Sequence, residues 1–518
     1  PKQALDLSYN EEGFYYPIYE GKHFKLAGDI DFSIVNKIID PIGNDSLYFA
    51  GVLDGAGHTL VNLTYKNYPY SNFGLFAGIG KAGEIKNFTV DKANISSLGG
   101  NVGVLAGVSL GFIRNIAICN SSVKANYGYY AGGVAGKALG TISNVNLTAV
   151  TVSGLGNVGG ISGFSTSTID SAIATDVSVR FVEKRTYNGG LVGTLNGTNR
   201  TTAAMISNSS FSGTVGGTNT AEVSMGGLVG YAESAEIKES HALVDIIGIS
   251  ASKCNIGALA GAVAGANIHD CYASGSLRHP NSTRVGGLVG ASLDSPTNDG
   301  GGTTIANCYS SVYLDTYSSD SLRGIIGSST NLVTIKDVYY DEQIAAVPHK
   351  VYGLSTAELT TGSGLQGLDA AKWEFADGLY PRLKGDKLDD EAVLVSVTPL
   401  RLATNNDTRL VVKDFTYRNA ENVNWKAVRN GSYDEKGGYA FTFDNGTGKL
   451  NGELHTDTIV ASLGTASKTF VLGIAPMPFD GDGTEQNPWL IKSKSDLESL
   501  SSIATKANIN FANKYFKQ

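Results

Sequence analysis

A five-residue box recurs nine times along the first two thirds of this 518-residue chain, and its period constrains the fold more than any other feature. The fullest copies are Gly189-Gly190-Leu191-Val192-Gly193, Gly226-Gly227-Leu228-Val229-Gly230 and Gly286-Gly287-Leu288-Val289-Gly290. The nine boxes start at residues 74, 103, 132, 159, 189, 226, 257, 286 and 323, and in the last of them Arg323 replaces the first glycine. A repeat in the range of roughly 20 to 50 residues signals a solenoid, a propeller or an array, because each unit buries its apolar face only against its neighbours.

A second landmark follows each box. It has the form Ile-x-(small polar): Ile85-Lys86-Asn87, Ile113-Arg114-Asn115, Ile142-Ser143-Asn144, Ile237-Lys238-Glu239, Ile268-His269-Asp270 and their counterparts. Short alternation of apolar residues after it, bounded by Gly, Asn and Ser, reads as strand. Each repeat is therefore two or three short strands joined by tight turns. Stacked parallel strands lie about 4.7 to 4.9 Å apart, so nine repeats build a rod on the order of 43 Å long. The position three residues after each landmark Ile reads Phe88, Ile116, Val145, Ala172, Ser209, Ser240, Cys271, Cys308, Val338, apolar or small at every level. That column should face inward. The 65 glycines are expected to supply left-handed turns and close backbone approaches. The expected fold is all-β: a right-handed parallel β-helix, followed by a β-sandwich.

The Gly-Gly-Leu-Val-Gly box, with Ile-x-Asn and Cys-Tyr (Cys271-Tyr272, Cys308-Tyr309) after it, resembles the GLUG motif of bacterial surface proteins and of some immunoglobulin-A-cleaving metalloproteases. The resemblance covers roughly residues 24–340. It implies an adhesion-related β-helix at the cell surface and implies no activity, since fold and function are separable.

Before the boxes, Pro1 to Tyr19 is aromatic and reads as mid-domain, without a leader segment; 49–60 reads as an opening rung. Within it, Asp54 and His58 invite an acid–base reading, but a turn Asp beside Gly55 and a structural His suit the pattern better. Past the last landmark, Thr356 is a candidate helix cap, and Trp373 and Phe375 are expected to cover the last rung. From about residue 392 the pattern changes to alternation (Val393, Val395, Val397; Leu410, Val412; Phe441, Phe443; Phe470, Leu472) with turn signals at sandwich-like intervals. This part resembles the immunoglobulin-like spacers of bacterial surface proteins. The ending Asn513-Lys514-Tyr515-Phe516-Lys517-Gln518 echoes Gly21-Lys22-His23-Phe24-Lys25-Leu26, and a capped helix signal precedes it at Ser495-Asp496-Leu497-Glu498. Three domains follow: 1–387, a repeat β-helix with a C-terminal cap; 388–476, an immunoglobulin-like sandwich; and 477–518, the start of a second repeat module. The stretch 479–518 is expected to be mobile or to make a head-to-tail contact with a neighbouring molecule.

Charge and composition narrow the function. The net charge of −8 and the absence of any Lys/Arg cluster argue against nucleic acid. No apolar run approaches the roughly 20 residues of a membrane-spanning helix. Four cysteines make no disulfide framework. Cys271 and Cys308, stacked at one strand spacing, exceed the roughly 3.8 Å Cβ separation of a disulfide and read as buried free thiols. Asp480 and Asp482 could be calcium ligands, but the remaining loop pattern does not accompany them. No His belongs to a His-Glu-x-x-His. No catalytic, cofactor or metal residue is assigned, because acidic or basic residues do not concentrate on adjacent rungs as a polysaccharide-cleaving β-helix would require. The candidate ligand-binding residues are Tyr127, Tyr129, Tyr130 and Tyr187, which precede boxes and could stack sugars, with Asn199 and Arg200 in a long insertion. The alternative for the tyrosines is that they wedge the corners of the coil. The expected role is a secreted, non-catalytic bacterial adhesin or spacer that presents a rigid rod to a surface glycan or protein. A polysaccharide lyase or hydrolase is the runner-up.

Overall fold

In the computed structural model the chain separates into two compact units, Pro1–Asp386 and Lys387–Gln518. The structure describes residues 8–518 except 11–12, 35–39, 69–70, 183–185, 198–203, 218–222, 248–253, 279–283, 295–301, 316–322, 331, 346, 348–350, 377–378, 387–397, 403–408, 414–423, 430–431, 434–440, 445–446, 451–454, 464–465, 475–478, 482–484 and 507–514.

The first unit is a parallel β-solenoid with three faces. An approach strand leads into each of the first eight boxes (Asn72–Phe73 through Arg284–Gly286), and an exit strand leaves each of the nine (Phe76–Ile79 through Ile326–Ser329). A long face carries the landmarks. Two further parallel strands, Gly13–Ile18 and Leu47–Phe49, precede the first box on the exit face, which makes eleven parallel rungs there. The hairpin partner Ser8–Asn10 closes that sheet with an antiparallel pair. Repeats stay in register: Ile116 pairs with Val145 and Val145 with Ala172 along the long face. The inward column is buried at all nine levels, from Phe88 to Val338, and joins one continuous core with the landmark isoleucines. All four cysteines are free, with Cys271 and Cys308 fully buried among the rungs.

The glycine expectation divides in two. No box glycine has a positive φ; the left-handed position is the third landmark residue instead. Asn87, Asn115, Asn144, Ser171, Asn208, Glu239, Asp270, Asn307 and Asp337 all have φ between 46° and 61°. Asn and Asp tolerate that region because their short polar groups bond locally. Here they also bond along the rod: Asn144 Nδ2 donates to Asn115 Oδ1 and Asn115 Nδ2 to Asn87 Oδ1, each at 2.8 Å. Close approach is what the box glycines serve. A Cβ on the fifth glycine would lie 2.5 Å from Val102 N at Gly136 and 2.3 Å from Ile256 N at Gly290, against the approach strand of the preceding rung.

The C-terminal part of this unit differs from expectation. Trp373 does not cover the last rung; it lies on the long face, with its ring centroid 6.0 Å from both Tyr272 and Tyr309 on successive rungs. The end of the core is closed by the helix Glu342–Ala345, whose Ile344 and Ala345 are buried together with Val347. Asp341 receives the Ile344 N–H at 2.9 Å and the Tyr380 hydroxyl at 2.5 Å. The next helix, Thr356–Leu359, is capped by Ser355 rather than Thr356, with Ser355 and Glu358 forming a reciprocal capping box.

In the second unit, two four-stranded antiparallel sheets occupy the region expected to form a sandwich. One contains Thr398–Leu402, Arg409–Lys413, Thr447–Leu450 and Phe441–Asp444; the other contains Ser432–Tyr433, Asn424–Arg429, His455–Leu463 and Ala466–Ile474. The final segment closes on itself. Trp489–Leu490 pairs in parallel with Phe516–Lys517, and buried Trp489 and Phe479 pack on Phe516. Between them runs the helix Lys494–Lys506, capped by Ser493 and Asp496 rather than Ser495 and Glu498. Asp480 is engaged by Lys492. Asp482 lies outside the described residues.

Candidate functional site

Two outer surfaces of the solenoid carry chemistry. The first is on the long face, where landmark residues of adjacent rungs stack: Lys238 pairs with His269. His269 Nδ1 meets Asp270 Oδ2 at 2.9 Å and its Nε2 meets Glu236 Oε1 at 3.0 Å. The segment 353–386 folds over this face and supplies Lys372, whose ammonium sits 2.7 Å from Asp270 and 2.8 Å from Glu239. Acidic and basic residues do therefore concentrate on adjacent rungs, contrary to the sequence expectation. They were legible as the second and third landmark positions, Lys238-Glu239 above His269-Asp270.

Electrostatically this cluster is saturated. Burial works to raise the Asp270 carboxyl, but hydrogen bonds from His269 and Lys372 and the Lys372 charge outweigh it and hold the pKa at about 2. Glu236 is also lowered, burial being outweighed by His269 and Lys238. So, two rungs before Glu236 on the same face, is Asp170, where Ser207, Asn208 and Ser171 outweigh burial. Asp270, aided by Glu236, raises the His269 pKa against burial. A glycosidic general acid needs a carboxyl pushed up towards neutrality. Those three carboxyls are all pushed down, and both ring nitrogens of His269 are occupied. What the cluster does is fasten the 353–386 segment, together with a buried aromatic stack beside it. His241 and Tyr272 lie parallel at 4.6 Å, Tyr272 and Tyr309 at 5.3 Å, and Tyr309 and Tyr380 at 6.0 Å. Asp386 receives the Tyr272 hydroxyl at 2.8 Å and faces His241 Nδ1 at 3.3 Å. Burial opposes its ionisation, and His241 and Tyr272 overcome that and lower the Asp386 carboxyl. Asp54 and His58 take the structural roles: Asp54 accepts the Ala56 N–H at 2.8 Å, and His58 bonds Asp29 at 3.2 Å.

The second surface lies at the box corner. At three successive boxes the residue two before the box meets, diagonally, the residue just after the fifth glycine of the next box. Tyr130 lies 5.3 Å from Phe164 between ring centroids, and the Lys137 ammonium stands 5.2 Å and 5.7 Å from the two rings. One rung on, Asn157 Nδ2 donates to Thr194 Oγ1 at 2.9 Å, and Asn157 Oδ1 accepts the Tyr187 N–H at 3.0 Å. On the following diagonal Tyr187 stacks on Tyr231 at 4.9 Å and 24°. The Tyr231 hydroxyl donates to Glu233 at 3.3 Å, while the other Glu233 carboxyl oxygen is buried without a hydrogen-bond partner among the described residues.

Of the residues singled out from sequence, Tyr130 and Tyr187 belong to this ladder. Tyr127 and Tyr129 project from the turn before it, 72% and 74% exposed, and make no ring contact among the described residues. Asn199 and Arg200 lie outside the described residues. Sequence reasoning missed Lys137, Phe164, Thr194 and Tyr231, although all four occupy the position immediately after a fifth glycine. Among the described residues no three His, Cys, Asp or Glu side chains are grouped to hold a metal ion. Nor is any described helix long and apolar enough to cross a membrane.

No known protein-family profile matches this chain. A stretch of 103 residues is 35% identical to halomucin of Haloquadratum walsbyi, covering 18% of this chain and 1% of that protein. A stretch of 109 residues is 31% identical to a protein of Evansella cellulosilytica described as a Gly-rich membrane protein, covering 19% of this chain and 12% of that protein. The chain thus spans a small fraction of the length of the curated relatives it matches.

Proposed function

We propose that this chain is a non-catalytic rod of a secreted or surface-anchored bacterial protein of the GLUG-repeat kind, used for adhesion or spacing, with an immunoglobulin-like spacer and a further module after it. One observation carries the reading: on the long face, the ionised groups that would serve catalysis on a β-helix are bound to fixed partners and fasten a covering segment. The names of the two relatives, a halomucin and a Gly-rich membrane protein, agree with a place at the cell surface. A polysaccharide lyase or hydrolase is the second reading, favoured by the gathering of Glu236, His269 and Asp270 on adjacent rungs. The test is turnover of neutral and acidic polysaccharides by the purified chain, together with antibody labelling of intact cells that express it. Surface labelling without turnover is expected. Cleavage abolished by Glu236→Gln or Asp270→Asn would overturn the non-catalytic reading in favour of the second.

A further inference from the structure

We propose that the box corner between Tyr130 and Tyr231 is a binding rail for an uncharged, extended polysaccharide of β-linked pyranoses, of the cellulose or chitin type, lying along the rod axis. This deepens the adhesive reading above and rests on it only for the biological use of the site.

Spacing is the first argument. The rail occupies four consecutive rungs, because Tyr130 pairs with Asn157 and the Tyr187 and Tyr231 strands continue the same two sheets. Successive rungs advance about 4.8 Å, close to the advance of one unit in an extended chain of β-linked pyranoses, so four rungs span about 14 Å. A solenoid thus offers one contact set per sugar, which a compact fold does not.

The second argument is the order of the contacts. An aromatic station (Tyr130 with Phe164) and a second one (Tyr187 with Tyr231) flank a polar station, Asn157 with Thr194. Pyranoses with equatorial hydroxyls present flat C–H faces to aromatic rings and a rim of hydroxyls to amides and hydroxyl groups. These rings keep partial exposure; Tyr187 is 39% exposed. Beyond Tyr231 the exit-face column narrows to Ala262 and Ala291, which leaves room beside its ring.

Charge is the third argument, and it chooses the chemical class. The Lys137 ammonium, which stands at the first aromatic station, is engaged over Tyr130 and Phe164. Glu233 lies buried behind Tyr231, and the chain carries a net −8. Among the described residues the stations offer a polyanion no built anion contact, whereas a neutral chain needs none.

The experiment uses the full chain and isothermal titration with cello- and chito-oligosaccharides of two to six units, with polygalacturonate as the charged comparison. Hydrogen–deuterium exchange locates the contact. The expected result is binding of a neutral series that strengthens up to about four units and then levels off, as the four-rung span requires, with added protection in peptides containing Tyr130, Phe164, Tyr187 and Tyr231. Tyr187→Ala and Tyr231→Ala are expected to weaken binding at least about tenfold, and Tyr187→Phe to retain it, because the stack and not the hydroxyl makes the contact. The proposal is overturned if neither neutral series binds, if polygalacturonate binds as well, or if protection falls elsewhere. Should an alanine variant fail to fold, Tyr187→Phe and the exchange map still decide. Failure here with surface labelling and no turnover would leave the rod reading intact; cleavage of a bound oligosaccharide would overturn that reading and leave the rail in place.

Discussion

Replacing Asp270 by Asn tests whether the ion-pair cluster on the long face holds the 353–386 segment in place. The substitution keeps a residue that accepts the positive φ of 53° at this position and removes the charge together with one acceptor oxygen. In the folded chain the carboxyl is held at about 2, against an ordinary value of 3.8. At 1.36 kcal/mol per pH unit, this amounts to roughly 2 kcal/mol of stability at neutral pH. The sign follows from the lowered value. The contribution is complete above 3.8 and disappears as pH falls through about 2, so by pH 3 it should be near 1 kcal/mol. The assay is urea unfolding followed by the emission of Trp373, which lies between Tyr272 and Tyr309 beside Lys372, in a background carrying Trp425→Phe and Trp489→Phe. Asp270→Asn should unfold about 2 kcal/mol more easily at pH 7, and the gap should halve at pH 3. A gap below about 0.5 kcal/mol at pH 7, or one that is undiminished at pH 3, would refute the linkage argument.

Further outcomes follow from the same contacts. Gly290→Ala should cost at least about 3 kcal/mol or prevent folding, since the new Cβ would meet backbone at 2.3 Å, whereas Gly28→Ala meets nothing within 4 Å and should be neutral by thermal melting. Tyr380→Phe leaves buried Asp341 short of a donor and should cost about 1–3 kcal/mol in the same melts. Cys254, Cys271 and Cys308 should resist a thiol reagent until denaturant is added, because they are buried and burial raises the Cys271 thiol pKa; half-buried Cys119 should react first. His269 has a raised pKa, so the stability it lends is complete below its ordinary value of 6.5 and fades as pH rises through the higher folded value. His269→Gln should accordingly narrow the stability difference between pH 6 and pH 9 in urea titrations.

The repeat was legible in the amino-acid order, because a solenoid turns local sequence distance into rung number: residues one period apart become neighbours. Box and landmark therefore predicted the parallel stacking, the inward column from Phe88 to Val338 and the buried Cys271 and Cys308 without any tertiary knowledge. The same periodicity could not say which glycine property mattered. A left-handed turn and a close approach both select Gly in sequence; only the coordinates show that Asn144 and its equivalents carry the turn while Gly136 and its equivalents carry the contact. The two surfaces depended on relations outside the period. The rail pairs a residue before one box with a residue after the next, as in Tyr187 with Tyr231, a diagonal that one-dimensional columns do not display. Lys372 reaches Asp270 across 102 residues of chain, from a segment that does not repeat and whose path is set by where Tyr272 and Tyr309 leave room for Trp373. Stacking within the array was thus determined by local sequence, because its contacts are periodic; what lies across the array was decided only by tertiary packing, because those contacts are not.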